Sequence, residues 1–109
     1  MDEYNVILSK EAANDMSAIY DYILEISGTQ QIAMAQFNRI ADAINTLNTM
    51  PKRISIMDNP YCKANQLRQL LVDNYSVIYT IRHNDVFIAR VLYSASDIVT
   101  KLPTLTILI

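Results

Sequence analysis

The apolar period changes once along this chain, and the change sets the class of fold open to it. From Lys10 to Leu47 apolar residues recur at steps of three and four, the spacing that lines one stripe of a helix. From Leu67 to Tyr93 they recur at every second position, the spacing of a strand with two unlike faces. Helices first and a run of strands afterwards predict an α+β fold.

The first stripe is Ala12, Met16, Ile19, Tyr20, Ile23 and Ile26. It follows a short β-branched run, Tyr4 to Leu8, which reads as a strand, and Ser9, whose hydroxyl suits a helix N-cap. The only glycine, Gly28, falls where the helix must end on a residue free to take positive φ, and Thr29 then caps a second helix. That helix carries Ala33, Phe37, Ile40, Ala41, Ile44 and Leu47 and stops before Pro51. An antiparallel helical hairpin is expected.

Residues 51–66 keep neither period and read as a long surface loop. Three β-rich runs follow, Leu67–Val72, Tyr75–His83 and Val86–Tyr93, with Asp73-Asn74 and Asn84-Asp85 as two-residue turns. They predict a three-stranded antiparallel meander in which Arg68 opposes Tyr79 and Tyr79 opposes Arg90. One face carries Arg68, Leu70, Val72, Val77, Tyr79, Ile88, Arg90 and Leu92. The other, with Leu67, Leu71, Ile78, Phe87, Ala89, Val91 and Tyr93, is more uniformly apolar and is expected to lie under the helices, leaving the Arg68–Tyr79–Arg90 row facing away.

Composition narrows the function. The 109 residues supply one core, expected as a single domain over 1–97 with an apolar tail over 98–109, where Leu105, Ile107 and Ile109 alternate. A single cysteine, Cys62, excludes an internal disulfide, and no Cys/His cluster has zinc-site spacing, so no metal or cofactor is expected. No apolar run reaches the roughly 18 residues of a membrane span, and the acidic N-terminus lacks the order of a signal peptide, which predicts a cytoplasmic protein with no membrane partner. A net charge of −2 is the wrong sign for a protein living on phosphate backbones.

Three segments carry a family likeness. Ile19-Tyr20-Asp21-Tyr22-Ile23 on the first helix, Ala43-Ile44-Asn45-Thr46-Leu47 with Met50-Pro51 at the end of the second, and the run from Leu67 to Tyr79 led by Arg68 stand in that order. Together with the order of elements they resemble the RelE/ParE toxin superfamily of type II toxin–antitoxin systems, closest to the ParE branch, over about Tyr4 to Asp97. The resemblance implies the RelE/ParE toxin fold, a plasmid-stabilisation type of toxin that arrests growth, and a cognate antitoxin as partner. It also implies DNA gyrase as the inhibited target, and a homodimer or a toxin–antitoxin hetero-oligomer as the assembly.

The superfamily's other branch cuts messenger RNA on the ribosome. That chemistry needs a base for the ribose 2′-hydroxyl, cations for the phosphate and an acid for the leaving oxygen. Aligned on Tyr75 to Tyr79, the arginine positions of RelE-like nucleases fall on Leu71 and Ser96, and a His-Tyr pair falls on Ser94-Ala95, so the expectation leans away from an enzyme. His83, the only histidine, sits at a hairpin tip and reads as a solvated turn residue. The candidate target-binding residues are Arg68, Tyr79, Arg90, Lys52 and Arg53, each weighed against an ordinary exposed or packing role. Two alternatives stay open: a RelE-like ribosome-dependent endoribonuclease acting on mRNA, and a decayed, non-toxic member that only binds antitoxin.

Overall fold

A computed structural model describes residues 3–58 and 60–93; the apolar tail and the Ser94–Ser96 positions therefore lie outside the described residues. The chain runs β1 (Asn5–Leu8), α1 (Lys10–Ser27), α2 (Gln30–Asn45), two 3-10 turns (Thr46–Asn48 and Pro51–Arg53), α3 (Pro60–Asn65), β2 (Arg68–Val72), β3 (Tyr75–Arg82) and β4 (Asp85–Leu92). The expected α+β order is present. The four strands form one sheet in the order β1-β4-β3-β2, with β1 parallel to β4 and the remaining pairs antiparallel.

Local chemistry sets the helix ends. Ser9 Oγ accepts from the Ala12 amide at 3.0 Å, and Thr29 Oγ1 accepts from the Ile32 amide at 3.3 Å. Gly28 closes α1 at φ 74°, with its amide donating to the Leu24 carbonyl. The two helices lie against one side of the sheet. Ala12, Met16, Ile23, Ala33, Ile40, Ile44 and Leu47 pack there onto Tyr75, Val77, Tyr79, Val86, Ile88 and Val91. Ile26, at the end of the first stripe, is left exposed.

The helices thus cover the opposite face from the one expected. They lie on the side of Val77, Tyr79 and Ile88, while Leu67, Ile78 and Leu92 face a second cluster with Cys62, Met57 and Tyr61. Two physical facts account for the reversal. The Leu67 side looked more apolar because of Leu71 and Phe87, yet Leu71 stays exposed and Phe87 only half-buried. The segment read as a loop holds α3, which supplies that side with its own cover.

The register differs too. The β3–β4 turn is His83-Asn84, with Arg82 opposite Asp85, and His83 takes φ 54°. Tyr79 pairs with Ile88 and Ile78 with Arg90, so one extra residue, Ala89, is inserted as a β-bulge. The bulge switches the alternation and sends Val91 to the helix side and Leu92 away. Of the expected row only Arg68 opposite Tyr79 stands.

The bulge lies where β1 stops pairing with β4 at Leu8 and Ile88. Beyond that point α1 satisfies the edge of β4. Ser9 Oγ donates to the Ala89 carbonyl at 2.9 Å, and the Val91 amide donates to Asp15 Oδ2 at 2.9 Å.

Candidate functional site

The five candidate side chains separate into two groups. Arg68, Tyr79, Arg53 and Lys52 meet around the connection from α2 to the sheet, and Arg90 is held elsewhere by Asp15.

In the first group most polar reach is spent on backbone carbonyls. Tyr79 is fully buried, and its hydroxyl donates to the Pro51 carbonyl at 2.7 Å. Burial pushes its phenol up from the ordinary value, while the cations Arg68 and Arg53 pull the other way. Arg68 donates to the Ile54 carbonyl and, at 3.5 Å, to that of Lys52. Arg53 reaches back along the chain: Nη1 donates to the Thr49 carbonyl at 2.9 Å and the Met50 carbonyl at 3.1 Å, and Nη2 to Thr46 Oγ1 at 3.1 Å.

These bonds make a clamp. The carbonyls they reach, those of Thr49, Met50, Pro51, Lys52 and Ile54, follow one another through the second 3-10 turn and its two flanks. Pro51 is buried under Tyr79, and the backbone around it is fixed from three directions. Lys52 alone among the four carries no side-chain bond; it is exposed and has no ion-pair partner among the described residues.

Arg90 makes a two-pronged ion pair with Asp15, Nε to Oδ2 at 2.6 Å and Nη2 to Oδ1 at 2.8 Å. The bond to Asp15 raises the guanidinium's already high pKa, against a smaller opposing effect of burial. Asp15 is thereby committed three times, to two guanidinium nitrogens and to the Val91 amide.

Two clefts flank the helices. One, of about 360 Å³, lies between β1 and the hairpin and is lined by Val6, Leu8, Ala13, Met16, Phe37 and Ile44. Ile7 and Leu8 beside it are both exposed apolar residues on the outer strand. The other, of about 380 Å³, lies between α1 and the end of the sheet, with Ile19, Tyr22, Tyr75, Val91 and Tyr93 around it. Tyr75 and Tyr93 meet edge to face at 5.4 Å. Burial raises the Tyr75 phenol, with Tyr93 and Tyr22 adding to the effect.

Sequence reasoning missed Asp15. As a lone acid on a helix it has no pattern of its own, and its role exists only because β1 stops pairing at Ile88 and leaves the Val91 amide on an open edge of β4. Cys62 is buried with its thiol raised by burial, the opposite of an activated nucleophile. His83 is exposed at its hairpin tip, as expected. No group of three metal-ligating side chains occurs among the described residues, and no helix there is long and apolar enough to cross a membrane.

The fold has a known counterpart. A chain of the chromosomal ParDE toxin–antitoxin system from P. aeruginosa superposes with a TM-score of 0.72 at 18% identity, covering 84% of this chain and 97% of that one. At that identity the likeness speaks for fold alone. No curated protein matches the chain. The profile of the family described as the ParE toxin of the type II toxin–antitoxin system parDE matches residues 6–98, a span taking in the three helices, the clamp and all of the sheet but Asn5. This chain therefore belongs to the ParE toxin family of type II toxin–antitoxin systems.

Proposed function

We propose that the protein is a growth-inhibiting toxin that acts in the cytoplasm by binding DNA gyrase, without chemistry of its own, and that a cognate antitoxin encoded beside it neutralises it. The family match over residues 6–98 carries this reading. The solved neighbour, a chain of a ParDE toxin–antitoxin system, supports an antitoxin as partner.

The geometry favours binding over RNA cleavage. A ribonuclease needs cations free to meet a phosphate, but Arg68 and Arg53 hold backbone carbonyls and Arg90 holds Asp15. Recruiting any of them would break bonds that fix the fold. Leu71, standing where a RelE-like arginine would be expected, is an exposed apolar residue on β2.

The antitoxin would lay an apolar helix in the cleft beside β1, with a strand along the outer edge of the sheet. The exposed Ile7 and Leu8 suit such cover.

The test is to induce the chain alone in bacteria, assay supercoiling by purified gyrase with added protein, and map messenger ends on translating ribosomes. Growth arrest with loss of supercoiling is expected. Cleavage within codons would replace this reading by the endoribonuclease, and absence of growth arrest with antitoxin binding retained would replace it by the non-toxic member.

A further inference from the structure

Met50 stands between the two 3-10 turns at φ 49° and ψ 49°, in the left-handed region. There Cβ lies close to the following carbonyl oxygen, so a large side chain is held under strain. The following residue is Pro51, which itself pushes its predecessor toward extended backbone. Among the described residues three other non-glycine residues have positive φ: Asp73 and His83 begin hairpin turns that require it, and Gln66 follows α3 directly. Met50 differs in preceding a proline and in being large and apolar. It is also 73% exposed, more than any other large apolar side chain among the described residues.

A glycine at this position would relieve the strain, and a polar residue would avoid exposing a thioether. Neither is present. Around Met50, moreover, Tyr79, Arg68 and Arg53 fix the flanking carbonyls, and the Tyr4 amide donates to the Asn48 carbonyl at 2.7 Å. An exposed apolar side chain on a strained backbone whose neighbouring carbonyls are held, beside a cation, Lys52, without an ion-pair partner among the described residues, has the form of an anchor on a preorganised base.

We propose that residues 49–53 form the knuckle by which this toxin grips its protein target, with Met50 entering an apolar socket and Lys52 meeting a carboxylate on the socket's rim. This rests on the toxin reading above and assigns the clamp residues a positioning role. A methionine suits such a socket because its flexible, polarisable chain adapts to the surface it enters. A protein is favoured over a nucleic acid because the tip itself is apolar and the chain carries a net charge of −2.

Met50→Gly separates fold from contact. Glycine accepts the observed backbone but frees the unfolded chain, so the two effects oppose and the thermal midpoint should stay within about 3 °C of wild type. On the proposal, the concentration giving half-inhibition of purified gyrase rises at least about tenfold, and growth arrest on induction weakens in parallel. Lys52→Glu gives a smaller rise that shrinks as salt is added. Ile26→Ser, at another exposed apolar position, changes neither readout.

A folded Met50→Gly protein that arrests growth as wild type does would overturn the proposal. So would loss of antitoxin binding with toxicity retained, which would assign the knuckle to the antitoxin, or retained binding to ribosomes or RNA as the toxic activity. Growth arrest that Met50→Gly abolishes, without gyrase inhibition by the wild-type chain, would uphold the knuckle and overturn only gyrase as its target. A wild-type chain that arrests no growth would overturn both.

Discussion

Tyr79 shows how one side chain can look like a binding group in sequence and serve as a strut in the fold. Its hydroxyl is buried and holds the Pro51 carbonyl, so Tyr79→Phe should cost about 1–2 kcal/mol in denaturant unfolding, from the lost bond and an acceptor left unpaired. The phenol's pKa is raised in the folded state, so the unfolded chain releases this proton first as pH rises. The stability it contributes is present below about pH 10 and is lost as pH climbs through the folded value. The alkaline fall in thermal midpoint should be shallower in Tyr79→Phe, with Tyr75 and Cys62, raised in the same direction, contributing to what remains. Asp15 makes a sharper demand. Its removal leaves Arg90 and the Val91 amide without their partner, and with both carboxylate and guanidinium largely shielded from water, Asp15→Ala should cost about 2–3 kcal/mol by the same measurement. The double change Asp15→Ala with Arg90→Met should recover part of that loss, because no charge is then stranded.

At the scale of elements, α1 and β4 depend on each other through Ser9. One hydroxyl caps the helix by accepting from Ala12 and secures the bulge by donating to Ala89. Ser9→Ala therefore removes two interactions and should destabilise by about 1–2 kcal/mol, toward the upper end for a cap. Hydrogen exchange should register it at both places: faster exchange in the first turn of α1 and along Ala89 to Leu92, with α2 little changed. Uniform acceleration across the protein would instead mean that the cap and the bulge are not a local unit. The helix starts and the Gly28 turn were legible because capping and positive φ are local needs that a residue either meets or does not. The bulge was not, since nothing in a β run distinguishes an inserted residue from a paired one until a neighbouring element arrives to take its unpaired groups.

For the whole molecule, the decisive fact is that the sheet is covered on both sides. The helical hairpin takes one face, and α3 with Met57 closes over Leu67, Ile78 and Leu92 on the other. Leu67 is fully buried yet belongs to the cluster away from the hairpin, so Leu67→Ala should still cost about 2–4 kcal/mol, as a core leucine does. A cost below about 1 kcal/mol in denaturant unfolding would show that α3 is only loosely seated. The same two-sided cover explains why the candidate residues divide as they do. The clamp joins the end of α2 to β2 and β3, whereas Arg90 lies at the open end of β4 beside α1, and no single surface unites them.

The sequence by itself determined the order of the strands and the two long helices, the helix caps, the turn at Asp73-Asn74 and the family likeness, because periodicity, capping chemistry and motif order reside in neighbouring residues. It also placed Arg68 opposite Tyr79, since a two-residue turn fixes the first few pairs of a hairpin. Only the tertiary structure decided which face the helices cover, where the register slips and what the charged side chains hold. Those outcomes depend on groups far apart in the chain: Asp15 and Ser9 on β4, Tyr79 on Pro51, α3 on Leu67. Period-two alternation gives two faces to a strand but no means of telling which one a distant helix will choose.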